Sequence, residues 1–455
     1  MGTNLSNYFL ADLPREAELT PGLITEACQT LKRNRERYLA GRSTENIIEI
    51  LDALGQSWLR EDFPFRKEVL ESGPAATGFS KETLASGLDA FFKQLTAENL
   101  EHFLFHELGH TQRLDNFFHD KYDEQKRRAS FARSPEFLVH IAPGNIPNPI
   151  LLSMILGLLT RSAQFVKCAS GQSFIPRLFA HSLYDAEPKL GACLEIAEWK
   201  GGTENLERAL FAEADCVTAT GSDETLASIR HKLPLKIRFL GYGTRVSFAY
   251  VTHESLSVSH AKTLAKRVAH DVAAWDQLGC LSPHNIYVET GGKISPELFA
   301  EMLASELEAL EKIQPRGKLS ATESAAIATR RSFYEVRAAH SLDTKMWCSP
   351  NSTAWTVVYE SDPRFQLSCL NRFVYVKAVA NLNDVLQGAD SVREKISTVG
   401  LASTETRAAE IAQQLARWGA TRICPLGQMQ NPPLTWHHDG RPALGDLITW
   451  TDWEK

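Results

Sequence analysis

The loop at residues 275–283 carries a cysteine, Cys280, between an amphipathic helix and a following apolar strand. Gly279 lets a substrate approach the backbone closely, and a thiol in such a loop can face a cleft. A cysteine attacks as the thiolate, so a catalytic Cys280 needs neighbours that lower its pKa. The preceding helix points its negative end at the thiol, which is the wrong sign, so activation must come from elsewhere. The candidates are the helix after Asn145, His253, His260 and His284, and a buried loop thiol without a catalytic role is the alternative.

An asparagine, Asn145, follows the apolar run 137–142 directly after a Pro-Gly turn. Pro147 suits the first turn of a helix, so the side-chain amide is expected at the carboxyl edge of a strand, near a positive helix end. An amide N–H in that place can donate a hydrogen bond to an oxyanion. A turn asparagine without a chemical role is the alternative interpretation.

The segment 219–225 predicts a turn from a strand into a helix, with Gly221 and Ser222 at the turn. Backbone N–H groups exposed at a helix start form a seat for phosphate. Lys167, at the end of an earlier strand, is expected on the same edge of the sheet. A helix cap supplied by Ser222 or Asp223 is compatible with this role.

His106, Glu107 and His110 fit the HExxH pattern of zinc proteases. The Gly and His that a metzincin needs further along the chain are absent from those positions, and Gly109 weakens the supporting helix. We therefore expect a partly exposed helical surface and no metal site. A zinc hydrolase is the minor alternative, and two residues have the spacing of its third ligand: Glu124 and Glu136.

The first 130 residues are predicted to be mostly helix and loop, with apolar residues at helical spacing over 24–38 and 83–104. From residue 136 onward, short apolar runs alternate with helix-compatible stretches. The runs are 137–142, 164–168, 193–197, 215–219 and 237–240. This alternation predicts βαβ units in a parallel sheet, whose ligands bind at the carboxyl ends of the strands.

A second α/β unit is predicted after residue 247. Its predicted elements are a helix from 261 to near 275, a strand at 285–289, a helix at 296–312, strands at 356–359 and 373–379, and a strand-helix-strand unit over 396–424.

The composition is that of an ordinary globular chain. Its 455 residues are 43% hydrophobic and 23% charged, which argues against bulk disorder. The length corresponds to about three domains. The formal charge of −6 gives no general attraction to nucleic acid or anionic membranes, so we expect neither partner. The longest apolar run, 150–159, is too short for a membrane span, and the scattered cysteines without a CxxC pair indicate reduced thiols in a cytoplasmic protein.

Taken together, these segments resemble the aldehyde dehydrogenase superfamily, and within it the long-chain fatty acyl reductase branch of LuxC-type acyl-CoA reductases. The resemblance covers roughly residues 136–453, and the segments that carry it are 140–147, 220–225, 241–247, 276–283, 427–429, 438–442 and 447–450. It implies an α/β fold with a helical N-terminal region (1–130), a Rossmann-like cofactor domain (131–250) and a catalytic domain (251–430). A tail (431–455) is expected to return to the cofactor domain or to an interface of a homo-oligomer.

The resemblance also assigns roles to the candidate residues. Cys280 matches the nucleophile, and Asn145 matches the oxyanion-hole asparagine. Lys167 matches the lysine that holds the adenosine ribose or its phosphate, and Gly221 and Ser222 match the turn under the pyrophosphate. The seven other cysteines fall mostly in apolar runs and are expected to pack in the core.

Two departures from oxidising aldehyde dehydrogenases shape the expected reaction. Their glutamate general base has no counterpart in residues 239–243, which hold no carboxylate. Hydrolysis of an acyl-enzyme is then slow, so reduction or transfer can compete. The glutamate that NAD-preferring members place against the ribose hydroxyls is Ser170 here. Its loss removes repulsion of a 2′-phosphate and favours NADPH, with use of both cofactors left open.

The resemblance therefore implies reduction of a long-chain fatty acyl thioester to the aldehyde through acyl-Cys280, with NADPH as cofactor. The thioester is acyl-CoA or an acyl-protein, and in the second case an acyl-protein synthetase or acyltransferase is the expected partner. Luminescence is one of the pathways that such an aldehyde serves. The alternatives are an NAD(P)-dependent aldehyde dehydrogenase that runs in the oxidative, acylating direction, and a scaffold subunit with a vestigial site.

Overall fold

Two largely parallel β-sheets organise the chain in the computed structural model, which describes residues 5–14 and 16–454. Gly2, which with Ser6 matches the loose N-myristoylation pattern, lies outside the described residues. Within the described residues, no helix combines the length and the hydrophobicity that crossing a bilayer requires. All eight cysteines are free thiols. Of the seven that we expected to pack in the core, Cys348 and Cys369 are partly exposed.

The N-terminal region is helical, as the sequence predicts. Its elements are α1 (Pro21–Tyr38), α2 (Thr44–Leu59), α3 (Pro64–Thr77), α4 (Lys81–Phe92), α5 (Ala97–Leu108), α6 (Lys121–Gln125) and the strand β1 (Arg128–Arg133). The prediction of one helix over 83–104 is wrong, because the chain leaves the helical path at 93–96 and starts again. Thr96 marks the restart, since its hydroxyl accepts a hydrogen bond from the Asn99 N–H and caps α5.

A five-stranded parallel sheet follows, and it confirms the predicted alternation of strands and helices. Its elements are β2 (Phe137–Ile141), α7 (Asn148–Leu159), β3 (Ala163–Cys168), α8 (Phe174–Ala186), α9 (Pro188–Gly191), β4 (Leu194–Glu198), α10 (Glu204–Glu213), β5 (Cys216–Thr220), α11 (Asp223–Lys232) and β6 (Arg238–Tyr242). The strand order is β4-β3-β2-β5-β6. The central strands are buried on both faces because helices cover both sides, which explains their continuous apolar runs.

A seven-stranded sheet forms the second half, in the order β13-β12-β7-β8-β11-β10-β9. Its elements are β7 (Val246–Val251), α12 (Ala261–Ala273), β8 (Pro283–Glu289), α13 (Pro296–Ile313), α14 (Ala321–His340), β9 (Thr344–Cys348), β10 (Thr356–Glu360), β11 (Phe373–Val379), α15 (Leu382–Gly388), β12 (Ile396–Ala402), α16 (Glu405–Trp418) and β13 (Arg422–Pro425). Only β9 is antiparallel to its neighbour. The strand β7 pairs with β8 and β12, so the chain changes sheets between Tyr242 and Val246, ahead of the expected boundary at residue 251.

The tail returns to the N-terminal half of the molecule. Its last strand, β14 (Thr449–Glu454), pairs antiparallel with β1. Before that strand, Leu444, Leu447 and Ile448 are buried against the N-terminal helices and the five-stranded sheet. The tail therefore crosses the region between the two sheets, where it can contribute side chains to a site.

Candidate active site

Cys280 lies in a loop whose backbone is held in an unusual conformation. Trp275, Asp276 and Gln277 adopt φ angles of 50°, 49° and 66°, in the left-handed region that residues other than glycine adopt infrequently. Asp276 forms a buried ion pair with Arg372 at 2.8 Å. The Gln277 amide donates to the carbonyl oxygens of Pro283 and Phe373, both at 2.9 Å. These buried contacts hold the loop in place and fix the direction in which Cys280 leaves it.

The helix α4 packs against the same loop through Gly87. A Cβ atom at Gly87 would lie 2.0 Å from Cζ2 of Trp275, so the absence of a side chain makes room for the indole. The Phe79 ring contacts the other side of Trp275, with ring centroids 5.2 Å apart. The N-terminal region thus positions the cysteine loop directly.

Cys280 opens into a cavity of about 170 Å³ whose walls are mostly apolar. Most of the lining residues come from three parts of the chain, which are α4 with α5, the helix α7, and the tail; Thr220, Tyr242 and the cysteine loop line the rest. Apolar residues from these three parts include Phe91, Leu100, Phe103, Leu152, Leu156, Pro432, Pro433, Leu434 and Trp436. The contribution of the N-terminal helices was not predicted, because nothing local in their sequence marks a wall of a distant site.

The thiol of Cys280 is protonated in the resting structure. Burial raises its pKa to about 12, with a further contribution from the negative charge of Asp439. Asp439 is itself buried and forms an ion pair with Arg245 at 2.9 Å, and the Arg245 charge acts in the opposite direction on the thiol. Nucleophilic attack therefore requires a base or a change of environment when substrate binds.

His438, from the tail, lines the same cavity as Cys280. Its ring stacks on Tyr242, with centroids 4.7 Å apart. Burial lowers the pKa of His438, so the imidazole is neutral near pH 7 and can accept a proton. The segment 438–442 carried part of the family resemblance, but no local signal marked His438 as a neighbour of Cys280.

The three histidines that the sequence offered as activators lie elsewhere, and none of them lines the Cys280 cavity. His253 contacts Glu289 at 2.8 Å, and His260 contacts Ser257 at 2.7 Å. His284 accepts a hydrogen bond from the Ser368 N–H. Their selection from the sequence was wrong, because closeness along the chain does not bring them to the thiol.

Asn145 reaches the cysteine loop from the end of β2. Its side-chain Nδ2 donates to the carbonyl oxygen of Leu278 at 2.7 Å. An amide carries two N–H groups, so one donor is engaged here and a second is left for a ligand. The side chain lines a smaller cavity beside that of Cys280, and Ile146 lines both.

Lys167 and Ser170 lie at the carboxyl end of β3. Burial lowers the pKa of Lys167, and nearby carboxylates, Glu207 first, oppose that shift. The ammonium nitrogen is 5.6 Å from the centre of the Trp199 ring. The Glu198 carboxylate accepts hydrogen bonds from the Gly171 and Ser173 N–H groups and shapes the Ser170 loop, a role that no local signal in the sequence marks.

Gly221 and Ser222 form the turn between β5 and α11. The Gly221 N–H donates to the Tyr242 carbonyl oxygen at 3.1 Å, so the expectation that it is exposed for phosphate is wrong. Ser222 caps α11, and its hydroxyl accepts a hydrogen bond from the Thr225 N–H. Lys167 and Ser170 at the end of β3 lie on the same carboxyl edge of the parallel sheet as the start of α11. An ammonium group, a hydroxyl and a helix N-terminus on one edge fit the binding of a dinucleotide.

The HExxH pattern does not form a zinc-protease helix. The helix α5 ends at Leu108, and Gly109 adopts a φ of 74° as its C-cap. His110 therefore turns away, stacks on Phe118 with centroids 3.6 Å apart, and accepts a hydrogen bond from the Gln112 N–H. The segment is thus an ordinary helix end with a left-handed glycine C-cap.

Comparisons with known proteins give the family and the fold of the chain. The model of the acyl-CoA reductase (LuxC) family matches residues 39–450. Long-chain acyl-protein thioester reductases of Vibrio harveyi and Photorhabdus luminescens are 24% and 26% identical to this chain, over 92% and 90% of it and 84% and 82% of their own lengths.

The solved structures that resemble the chain share its fold. A bifunctional proline utilization A protein gives a TM-score of 0.72 at 15% identity and covers 97% of this chain and 45% of its own. An NAD-dependent benzaldehyde dehydrogenase from Corynebacterium glutamicum gives a TM-score of 0.71 at 12% identity, and the match covers 98% of this chain and 94% of that protein's chain. The fold is that of the aldehyde dehydrogenases, and because the family model matches nearly the whole length, the chain belongs to the acyl-CoA reductase (LuxC) family.

Proposed function

We propose that this protein reduces a long-chain fatty acyl thioester to the fatty aldehyde through an acyl-Cys280 intermediate, with NADPH as the reductant. The observation that carries the proposal is the position of Cys280 on the wall of a mostly apolar cavity. A cavity of that character suits a hydrocarbon chain. The relatives named long-chain acyl-protein thioester reductases support the same substrate class.

The first chemical step forms a bond between the Cys280 sulfur and the acyl carbon. The sulfur attacks as the thiolate, and His438 accepts the thiol proton because its imidazole is neutral near pH 7. The second N–H of the Asn145 amide and the backbone N–H of Cys280 stabilise the oxyanion. The bond to the donor thiol then breaks, and the donor leaves with the proton, which yields acyl-Cys280.

NADPH, when bound, would supply the hydride that brings the acyl carbon to the aldehyde level. The bond between that carbon and the Cys280 sulfur then breaks, the aldehyde leaves, and the sulfur takes up a proton to restore the thiol. Lys167 and Ser170 would hold the adenosine ribose and its phosphate, and the start of α11 would face the pyrophosphate. The segment 239–243 contributes Tyr242 to the cavity and no carboxylate, so the glutamate that activates water in oxidising aldehyde dehydrogenases has no counterpart there. Reduction is therefore favoured over hydrolysis to the acid.

The test is covalent labelling with a long-chain acyl-CoA that carries a radioactive acyl group, and then with the same acyl group on a carrier protein. We expect one label per chain, its loss in Cys280→Ala, and its conversion to aldehyde on addition of NADPH. Cys369→Ala is the matched control, because Cys369 is also a partly exposed thiol but does not line the cavity. Labelling of the Cys280→Ala variant at the native level would contradict the proposal.

The second candidate function is the oxidative, acylating direction, in which an aldehyde and a thiol yield the thioester. The same cavity and thiol serve both directions, so the two are separated by assaying aldehyde with CoA and NADP⁺ against acyl-CoA with NADPH. We expect the reductive rate to be the higher.

The cofactor preference is tested with Ser170→Glu. Glu198 already lies beside this loop, but its carboxylate is engaged by two backbone N–H groups. A new carboxylate at the exposed position 170 would repel a 2′-phosphate, so we expect kcat/KM for NADPH to fall more than that for NADH. Equal changes for both cofactors would contradict the assignment of Ser170.

A further inference from the structure

Two histidines and a carboxylate meet on the surface where the tail crosses α5. Nε2 of His106 and Nε2 of His437 are 3.4 Å apart. Nε2 of His437 is 3.8 Å from Oε1 of Glu107. The three ligand atoms all lie within 4.8 Å of one another. Both imidazoles are exposed to solvent, whereas the Glu107 side chain is only 1% exposed.

The carboxylate of Glu107 is fixed on one side and unpartnered on the other. Its Oε2 accepts hydrogen bonds from the N–H groups of Leu444 and Gly445, and these bonds hold the Glu107 side chain against the tail. Its Oε1 is buried and has no hydrogen-bond partner. A buried carboxylate oxygen without a partner is costly, and this one is aimed at the two imidazoles.

The spacing of these atoms suits a tetrahedral divalent cation. Zn²⁺ binds imidazole nitrogen at about 2.0–2.1 Å and carboxylate oxygen at about 2.0–2.2 Å, so two of its ligands lie roughly 3.3 Å apart. The two Nε2 atoms are already at about that separation, and Oε1 must move closer, from 3.8 Å in the case of His437. The backbone N–H groups on Oε2 supply the outer hydrogen bonds that orient a metal-bound carboxylate.

From this geometry we infer that His106, Glu107 and His437 bind one Zn²⁺ ion, with water as the fourth ligand. The ligand set differs from the HExxH pattern because it excludes His110. Its third residue, His437, comes from the tail and lies 331 positions after His106 along the chain. It also departs from our expectation of no metal, which rested on that pattern alone.

The bound cation would fasten the tail to α5. His437 lies between Trp436 and His438, which both line the Cys280 cavity. A metal on His437 would therefore restrain two cavity residues, and zinc is expected to order this part of the wall without touching the reacting atoms.

The test is equilibrium dialysis of the metal-stripped full chain against Zn²⁺, with zinc per chain measured by atomic absorption. We expect the native chain to bind one zinc ion strongly. In His106→Ala and in His437→Ala the dissociation constant for zinc should be at least tenfold larger. The matched control is His110→Ala, which we expect to bind zinc as the native chain does. Zinc should also raise the Tm of the native chain and of His110→Ala, but not of the two ligand variants.

The free thiols are the competing ligands, so the same titration is repeated with Co²⁺. We expect the visible bands of a nitrogen and oxygen site without a thiolate charge-transfer band. Native-strength binding in both histidine variants, a thiolate band, or no zinc binding by the native chain would each overturn the inference. His106 and His437 are exposed, so circular dichroism of the metal-free variants should match the native chain.

Discussion

Asn145 donates a hydrogen bond of 2.7 Å from Nδ2 to the carbonyl oxygen of Leu278, two residues before Cys280. This bond ties the turn after β2, in the five-stranded sheet, to the loop that leads into β8 of the seven-stranded sheet. The residue that we propose as an oxyanion donor therefore also sets the distance between itself and the nucleophile. Its two roles can be separated by experiment.

We expect Asn145→Ala to slow acylation of Cys280 by about 10²–10³-fold, the usual effect of removing one oxyanion donor. Rapid-quench labelling with radioactive acyl-CoA measures this rate, and Tm reports the structural role of the Leu278 hydrogen bond. A lower Tm with an unchanged acylation rate would leave Asn145 with the structural role only.

Alkylation of Cys280 in the free protein should become faster with rising pH up to the limit of stability. Burial raises the pKa of this thiol to about 12, so the thiolate fraction keeps growing through the range from pH 7 to 10. Mass spectrometry of the Cys280 peptide after timed iodoacetamide treatment measures the rate. A rate that levels off as the pH approaches about 10 would contradict this, because a thiol with the ordinary pKa of about 8.5 is almost fully ionised there.

Asp439→Asn should accelerate that alkylation at a fixed pH. The Asp439 charge raises the pKa of Cys280, so its removal lowers the pKa and increases the thiolate fraction. Asp446→Asn, on the same tail but paired with Arg441, is the control and should alkylate at the native rate. Equal rates for all three proteins would contradict the electrostatic coupling.

His438→Gln should lower kcat by about 10²–10⁴-fold, as expected for loss of a general base. Because burial lowers the pKa of His438, the native rate should decline only below the usual histidine range, and this acidic limb should disappear in the variant. The exposed His260, outside the cavity, provides the control variant His260→Gln. A native pH profile and kcat in His438→Gln would exclude its role.

Gly87→Ala should destabilise the protein by about 1–3 kcal/mol, the usual cost of overpacking a core. The added Cβ would meet Trp275 at 2.0 Å and push on the loop that carries Cys280, so acylation should slow as well. Gly41→Ala is the control, because a Cβ there meets no atom within 4 Å. Urea unfolding and acylation rates of both variants test this contact, and partial rescue by Trp275→Leu would confirm it.

Leu152→Trp should shift the preferred substrate toward shorter acyl chains. Leu152 lies on α7 and lines the Cys280 cavity, so an indole ring at this position would occupy the space that the end of the acyl chain takes. Each methylene that is no longer buried costs about 0.8 kcal/mol, or roughly fourfold in kcat/KM. The measurement is kcat/KM over a series of acyl lengths, with Leu152→Met as the volume-matched control. An unchanged preference would place the acyl chain elsewhere.

Much of the fold follows from patterns that are local in the sequence. The predicted strands at 137–142, 164–168 and 373–379 agree with β2, β3 and β11 to within a residue, because strands buried on both faces need continuous apolar runs. The alternation of strands, turns and helices predicted that the strands are parallel, because helical connections join parallel strands. The loop of Cys280 and the turn of Asn145 were recognisable for the same reason, since Gly, Pro and Asn mark turns by their own backbone preferences.

Only the tertiary structure decided which side chains meet. His438 lines the cavity of Cys280, Glu198 contacts the Ser170 loop, and Trp275 packs on Gly87. Each of these pairs joins distant parts of the chain, and periodicity carries no information about such partners. The pairing of β14 with β1 and the meeting of His437 with Glu107 have the same origin. The sequence determined the elements and the chemical groups, because backbone preference and hydrophobic spacing act over a few residues. Packing decided the cavity, the pKa of the thiol and its neighbours, because burial and electrostatic fields depend on atoms that only folding brings together.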